Sequence, residues 1–447
     1  MKYTPVIGLE VHVELKTKSK MFCRCSADYF GKEPNTHTCP VCLGMPGALP
    51  VPNKKAIEWC IKIALALHCE INTLSKFDRK NYYYPDLAKG YQISQYDQPF
   101  GKDGSVVLST GKTIRIRRVH MEEDTGKLSH QTLDTKRVSL IDFNRSGVPL
   151  VEIVTEPDFS SAAEVTEYLQ KLQKIVRHLD VSNADMEKGD MRLEPNISLS
   201  ETSDGKTYIP EKDLPKYKVE VKNINSFRFV EKAIEFEAKR QAEMLDRGEI
   251  PIQETRGWNE TKNITFSQRV KEEAMDYRYF PEPDIPPIRF TEEEIGSIRA
   301  SLPELQDEKI DRFIKEFDLS EYNAEILTRE TSLATFFEAA VKIGKTNDVS
   351  PKQIANYIIN KKIATSETTP DELIKTLVST SQTAQVDEKE LEKIIQQVLK
   401  DNPKAVEDFQ SGRENVIMFL VGQVMRQAKQ KLDAHVIKSL LSKMLKQ

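Results

Sequence analysis

The sequence predicts an α+β protein in which a front part with an antiparallel sheet is followed by a part made of helices. Strand-like segments before residue 292 are grouped in hairpins, which is typical of an antiparallel sheet. Fourteen of the 18 glycines, 18 of the 22 prolines and all six cysteines precede residue 293. The remainder has helical periodicity with few breaker residues. We therefore expect at least two structurally unlike parts.

In the front part, Val6–Leu15 alternates apolar and polar residues, which indicates a half-buried strand. One hairpin is predicted over Val106–Val119, and a second joins Arg137–Phe143 to Val148–Val154 through the Asn-Arg-Ser-Gly turn at residues 144–147. The amphipathic helices predicted here are Lys54–Leu67, Ala162–Leu179 and Phe227–Leu245.

The stiff, proline-rich segment Pro281–Pro287 is typical of a domain boundary. We expect a first domain over residues 1–292, a helical domain over 293–405 and a helical tail over 406–447. Ten helices are predicted after residue 292. From Met418 to Gln447 there are six basic residues and one acidic residue. This excess fits either a solvated helix face or a surface that contacts a phosphate backbone.

Composition excludes several classes of protein. No segment approaches the roughly 18 consecutive apolar residues that a membrane-spanning helix requires, and 39% hydrophobic with 30% charged residues is typical of a globular protein. The net charge of −4 argues against a histone-like nucleic-acid binder. No leader peptide is visible, so a cytoplasmic protein is expected.

Four cysteines form two close pairs, Cys23 with Cys25 and Cys39 with Cys42. Two such pairs are the usual way to build a tetrahedral zinc site, and a cytosolic chain rarely forms disulfides. Four protein ligands leave no open coordination position, so a structural zinc ion is predicted rather than a catalytic one.

Acidic residues on strands suggest a second metal site. Glu10 and His12 share one face of the first strand, about 6.5–7 Å apart. Glu123 ends a basic strand, and Glu152 lies within an apolar one, where a carboxylate is costly unless it is paired or bound to a cation. Glu10, His12, Glu123 and Glu152 are therefore candidate catalytic residues and ligands of Mg²⁺, which prefers oxygen donors. For Glu10 and His12, the alternative is that they form a solvated polar face of the strand.

No glycine-rich phosphate-binding loop is present, so a nucleotide site would depend on side chains. The candidate phosphate-binding residues are Lys80, Arg192 and Lys222. Aromatic residues of the segment Asp276–Phe280 can stack on a base or belong to the core.

Long stretches of the chain resemble the B-subunit family of tRNA-dependent amidotransferases, the GatB/GatE family. The resemblance runs essentially from end to end. The segments that carry it are Val6–Lys18 (VIGLEVHVELKTK), Lys76–Pro85, Gly90–Pro99, His120–Lys127 (HMEEDTGK), Asp142–Asp158 (DFNRSGVPLVEIVTEPD), Asn196–Leu199, Lys222–Phe227 and Asp276–Asp284 (DYRYFPEPD).

The resemblance implies an enzyme that uses ATP and Mg²⁺ to phosphorylate the side chain of Glu-tRNA(Gln) or Asp-tRNA(Asn), and then transfers ammonia to it. The ammonia would come from a glutaminase, the A subunit, and a small C subunit would hold the A and B subunits together. The resemblance also implies a cradle-shaped, glutamine-synthetase-like catalytic domain and a YqeY-like tail that binds tRNA. From the residues alone, a non-catalytic, zinc-containing scaffold that binds tRNA is the alternative.

One segment departs from the family pattern. Arg192 and Asn196 match, but Glu194 stands where a shorter acid is common and Pro195 removes a backbone donor. The choice between the two tRNA substrates is left open by the sequence.

Overall fold

The computed structural model describes residues 2–201, 214–270, 277–361, 363, 368–382, 388–410, 416–428 and 434–445. The chain forms two compact units, Met1–Leu305 and Gln306–Gln447.

The first unit contains all the strands of the described residues. They are β1 (Tyr3–Glu14), β2 (Glu70–Ile71), β3 (Leu74–Ser75), β4 (Asp78–Asn81), β5 (Tyr91–Ser94), β6 (Gly101–Val107), β7 (Thr113–Glu123), β8 (Lys127–Leu133), β9 (Lys136–Asp142), β10 (Pro149–Thr155), β11 (Met191–Glu201), β12 (Val219–Lys222), β13 (Glu254–Asn259), β14 (Ile264–Val270), β15 (Phe280–Pro281) and β16 (Ile288–Arg289). Its helices are α1 (Lys54–Ala66), α2 (Ala162–His178), α3 (Phe227–Asp246) and α4 (Glu292–Ala300).

Nine strands form one sheet in the order β14-β13-β12-β11-β1-β10-β7-β6-β2. Among these described strands, only β12 and β13 pair in parallel. The predicted antiparallel character is thus confirmed with one exception. A three-stranded sheet, β15-β4-β5, and the pairs β16-β3 and β8-β9 complete the strands.

Alternation along the central strands gives the large sheet one apolar face. On β1, Leu9, Val11 and Val13 are buried in the main hydrophobic core. Helix α1 packs against β6 and β7, α3 packs against β11, and α2 contacts both helices. Asn53 and Ser226 begin α1 and α3 by accepting hydrogen bonds from the first free backbone amides. The opposite face of the sheet is therefore left for polar side chains.

The hairpin over Val106–Val119 is confirmed, because β6 and β7 pair around the turn before Thr113. The second predicted hairpin is wrong. Strand β9 pairs with β8, whereas β10 lies between β1 and β7. Strand β10 is buried along almost its whole length, and β8 and β9 are mostly exposed. As a central strand, β10 is buried on both faces, which stabilises it. Pairing with the exposed strand β9 would not bury its apolar residues in this way.

The second unit consists, in its described residues, of helices. They are α5 (Gln306–Phe317), α6 (Glu321–Thr328), α7 (Thr331–Lys345), α8 (Pro351–Lys361), α9 (Pro370–Gln382), α10 (Glu388–Asp401), α11 (Pro403–Gln410), α12 (Val416–Gln427) and α13 (Ala434–Leu445). With α4, they confirm the ten predicted helices.

These helices have two hydrophobic clusters. One includes Phe313, Phe337 and Ile354, and the other includes Leu391, Leu420 and Leu441. Within the described part of the chain, no helix has the length and apolar character needed to cross a membrane.

Candidate active site and metal centres

The polar face of the sheet brings acidic and basic side chains from neighbouring strands together. In the register of the sheet, His12 on β1 lies opposite Glu152 on β10 and Arg192 on β11, and Glu152 lies opposite His120 on β7. Glu10, two residues before His12, starts a neighbouring row. Side chains alternate between the two faces of a strand. The apolar residues project into the core, so these polar groups all lie on the opposite face of the sheet.

The first cluster joins His12, Glu122 and Glu152. The His12 Nε2 atom lies 3.4 Å from Glu122 Oε1 and 3.7 Å from Glu152 Oε2. His120 Nε2 lies 3.1 Å from the same Glu152 oxygen. His12, Glu122 and Glu152 offer one ligand atom each within 4.8 Å of one another. This cluster can hold a metal ion.

The histidines and carboxylates of this cluster shift one another's pKa values. Burial lowers the pKa of His12, but its hydrogen bonds with Glu122 and Glu152 outweigh burial and raise that pKa well above 6.5. Burial raises the pKa of Glu152, but His120 and His12 lower it well below the usual value. Without a metal, two ionised carboxylates therefore hold a protonated His12 at neutral pH.

The second cluster is Glu10, Glu194 and Glu220, whose carboxylates also lie within 4.8 Å of one another. Asn196 donates a hydrogen bond to Glu10 over 3.0 Å. Burial raises the pKa of Glu10, and the neighbouring carboxylates Glu152, Glu194 and Glu220 raise it further. A divalent cation would relieve this repulsion, so the second cluster is also suited to a hard metal ion.

Glu123 is separate from both of these clusters. Its carboxylate binds Lys89, 2.6 Å away, and accepts a hydrogen bond from the Ile93 backbone amide over 2.9 Å. Glu122, next to it on β7, faces His12 instead. The structure therefore brings together His12 and Glu152 of the predicted magnesium ligands, places Glu10 in the adjacent cluster and positions Glu123 elsewhere.

Two of the predicted phosphate-binding residues are engaged with carboxylates. Arg192 donates hydrogen bonds to Glu14 over 3.0 Å and to Asp124 Oδ1 over 3.2 Å. Lys222 lies 2.9 Å from Glu194 and 3.3 Å from Glu220. Both cations therefore balance acids on the site face.

Lys80 faces the first cluster from β4. Burial lowers the pKa of Lys80, but the charges of Glu122 and Glu152 outweigh it and raise that pKa. Its ammonium group lies 5.3 Å from the centre of the Tyr277 ring. Tyr279 stacks on Tyr96 with ring centroids 4.4 Å apart. Aromatic side chains thus surround a lysine near the carboxylates. Asp276, also in the predicted segment, lies outside the described residues.

The sequence prediction missed three members of these clusters, Glu122, Glu194 and Glu220, and the adjoining His120. The alternation of side chains along β7 could have identified two of them, His120 and Glu122. Val119 and Met121 are core residues, so His120 and Glu122 must share the opposite face, and Glu123 cannot join them. Glu194 stands out in the sequence only as a departure from the family pattern, although it lies in phase with Arg192 and Asn196 on β11.

The four predicted zinc ligands, Cys23, Cys25, Cys39 and Cys42, come together in the loop after β1, with their sulfur atoms within 4.8 Å of one another. The sulfur atoms of Cys39 and Cys42 are 3.9 Å apart. A tetrahedral zinc ion with bonds of about 2.3 Å requires roughly 3.8 Å between sulfurs. The donor set and its spacing therefore fit zinc.

A buried lysine adjoins the cysteine cluster. Lys20 has no exposed surface, and its ammonium lies 3.7 Å from the sulfur of Cys42. It also donates hydrogen bonds to the carbonyl oxygens of His37 over 2.8 Å and Phe143 over 3.3 Å. A hydrogen bond with the Cys23 thiol lowers the pKa of Cys42 to about 4. The surroundings thus favour negative charge on the Cys42 sulfur, as a zinc ligand requires.

Comparison with known proteins assigns both parts of the chain to the same kind of protein. Residues 5–296 match the GatB/GatE catalytic domain, and residues 318–445 match the GatB domain. The chain is 46% identical to the B subunit of the aspartyl/glutamyl-tRNA(Asn/Gln) amidotransferase of Persephonella marina, with all of both chains covered. It is 45% identical to the protein of that name from Thermotoga petrophila, with 100% of this chain and 99% of the relative covered.

Proposed function

The chain belongs to the GatB/GatE family, and we propose that it is the B subunit of a glutamine-dependent, tRNA-dependent amidotransferase. It would convert Glu-tRNA(Gln) or Asp-tRNA(Asn) to Gln-tRNA(Gln) or Asn-tRNA(Asn). Its partners would be a glutaminase (the A subunit), a small C subunit and the misacylated tRNA, in the cytoplasm. The observation that supports an enzyme most strongly is the pair of carboxylate clusters, buried or half-buried, on one sheet face.

The reaction has two steps. A carboxylate oxygen of the aminoacyl side chain attacks the γ-phosphorus of ATP, the bond from that phosphorus to the bridging oxygen breaks, and ADP leaves. Ammonia then attacks the acyl carbon, the bond to the phosphate oxygen breaks, and phosphate leaves as one proton is lost from nitrogen. This chemistry needs compensation of phosphate charge and a site that excludes water.

In this proposal, His12, Glu122 and Glu152 would hold one Mg²⁺ ion, and Glu10 with Glu194 and Glu220 would hold another. Magnesium, when bound, supplies positive charge to phosphate oxygens. Lys80 faces the same cluster and would contribute a further cation. The cysteine cluster would hold a structural zinc ion, because four thiolates leave no position for a substrate.

The finer architecture is part of the same proposal. The large sheet would form the floor of a cradle of the glutamine-synthetase kind over residues 1–292. The helices over 293–405 and a YqeY-like tail over 406–447 would bind tRNA. Two acidic clusters withdrawn at least partly from solvent favour the enzyme over a non-catalytic zinc-containing scaffold, since a scaffold gains nothing from carboxylates that repel one another.

Reconstitution with the A and C subunits tests the function. With misacylated tRNA, ATP and glutamine, the wild-type complex should form amidated aminoacyl-tRNA and ADP. Glu152→Gln should reduce both products by about 100-fold or more, on the order of the effect of removing a transition-state charge partner. Glu156→Gln is the matched control, because this partly exposed carboxylate pairs with Arg117. Wild-type activity in Glu152→Gln would refute the proposed site.

A further inference from the structure

A β-bulge in β7 turns an extra basic side chain towards the polar face. Val154 on β10 pairs with Arg118, but the next residue, Thr155, pairs with Ile116, so β7 has one additional residue here. Ile116 and Val119 both lie in the core. Arg117 and Arg118 between them therefore both project to the polar side, which an unbroken alternation would not permit.

The two arginines differ in their partners. Arg117 donates hydrogen bonds to both carboxylate oxygens of Glu156, over 2.8 and 2.7 Å. The Nε atom of Arg118 is buried and has no hydrogen-bond partner within the part of the chain that the structure describes. A buried donor without a partner costs about 1–3 kcal/mol. Such a cost is offset when a ligand supplies the missing acceptor.

The position of Arg118 is beside the carboxylate clusters. Arg118 and His120 are alternate residues of β7, so they lie about 6.5–7 Å apart along the strand. Across the sheet, Arg118 pairs with Val154, which pairs in turn with Glu10. Burial raises the pKa of Tyr279 to about 12; the charges of Lys80 and Arg118 oppose this rise, while Glu122 and Glu152 add to it. The charges of Lys80, Arg118, Glu122 and Glu152 thus all act on the same tyrosine.

We propose that Arg118 binds the phosphoryl oxygens of the nucleotide beside the carboxylate clusters, together with Lys80. This inference rests on the proposed function. A guanidinium suits the task because its planar N–H groups form paired hydrogen bonds with phosphate oxygens. Arg192 and Lys222 are less suited, since each already balances two carboxylates.

Alanine substitution with chemical rescue tests the assignment in the complete complex with misacylated tRNA. Arg118→Ala should lower the rate of ADP formation by about 100-fold, comparable to the loss of one transition-state donor. Added methylguanidinium should restore part of that rate, because it can occupy the vacated space and supply the same donors. Arg118→Met, which keeps the apolar bulk and fills that space, should be equally slow and should not be rescued.

Arg117→Ala is the matched control, and its rate should stay within about threefold of wild type because its exposed ion pair contributes little. Mg²⁺ binding and zinc content should be unchanged in Arg118→Ala, and its melting temperature should not fall, because the variant also removes the unpartnered buried donor. Near-wild-type activity of Arg118→Ala, or an activity loss that methylguanidinium does not restore, would overturn the assignment. If the wild-type complex forms no ADP with any misacylated tRNA, the proposed function fails instead.

Discussion

At the scale of single residues, the choice between Glu122 and Glu123 gives a clear experiment. Glu122 faces His12, whereas Glu123 neutralises the partly buried Lys89. Glu122→Gln should abolish Mg²⁺-dependent ADP formation and should destabilise the fold less than Glu123→Gln, because Glu152 still pairs with His12. Glu123→Gln should destabilise the fold by roughly 2–3 kcal/mol, because it leaves a largely desolvated cation unpaired.

Chemical denaturation and ADP assays on the two variants measure both effects. A Glu123→Gln protein as stable as wild type, or a fully active Glu122→Gln protein, would contradict the role assigned to that residue. The expected results would give neighbouring acids in one strand separate functions, one in charge compensation at the site and one in the fold.

His12 predicts a proton-linked metal affinity. Because the pKa of His12 is raised well above 6.5 in the metal-free protein, its imidazole must lose a proton before it can coordinate Mg²⁺. Titration calorimetry at neutral pH in buffers of different ionisation enthalpy should show proton release on Mg²⁺ binding. The release should disappear in His12→Gln. A binding enthalpy that does not depend on the buffer would contradict this prediction.

Glu10 predicts how stability depends on pH. An acid whose pKa is higher in the folded than in the unfolded chain binds its proton more tightly when folded, so rising pH lowers the free energy of unfolding. For Glu10 this loss begins near the unfolded value of 4.5 and continues as pH rises through the raised value. Thermal unfolding of metal-free protein should show the loss, and Glu10→Gln or added Mg²⁺ should reduce it.

How much of the site the sequence predicts depends on strand phase. Glu10, His12 and Glu152 could be found because each lies in a strand whose apolar neighbours set the alternation. The role of Arg118 could not be found: Arg118 lies in phase with His120 and Glu122, but only the folded structure shows that its Nε atom is buried without an acceptor among the described residues. The bulge adds to the difficulty, because alternation counted from Ile116 would assign Arg118 to the core side.

At the scale of elements, the cysteine loop predicts a removable metal. Elemental analysis should find about one zinc ion per chain, and Cys39→Ser with Cys42→Ser should lose the zinc and lower the melting temperature. Cys69→Ala is the control, because Cys69 is buried against the core and takes no part in the four-cysteine cluster. An intact protein without zinc would refute the structural role.

Of the two hairpins predicted in the front part, one is confirmed and one is wrong, and the difference has a physical reason. A short turn over residues 108–112 joins β6 to β7, so local sequence determines that pairing. Strand β10 instead pairs with β1, from more than a hundred residues earlier. Partners at that distance are selected by burial and register, which no single segment encodes.

At the scale of the whole molecule, the average charge of −4 conceals a basic end. Arg426 on α12 and Lys438 and Lys443 on α13 are exposed, while Leu420, Val424 and Leu441 fill the core of these helices. Substitution is therefore a better test than deletion, because removing α12 and α13 would also dismantle that core.

Changing Arg426, Lys438 and Lys443 to glutamine should weaken tRNA binding and reduce its salt dependence, with little effect on Mg²⁺ binding. Each lost phosphate contact should make the negative slope of log affinity against log salt shallower by about 0.9. Binding assays over a salt series measure this slope. As a control, changing the exposed Lys315, Lys342 and Lys345 to glutamine should leave the slope unchanged if the basic end carries the contacts.

The central position of β1 also has a consequence for biosynthesis. Strand β1 is made before its partners β10 and β11, which end at Thr155 and Glu201. At about 5–20 residues per second, translation delays these partners by roughly 7–40 seconds. Throughout that interval, the apolar side of Val6–Leu15 has no sheet to join, so the nascent chain depends on chaperones or on residual collapse to avoid aggregation.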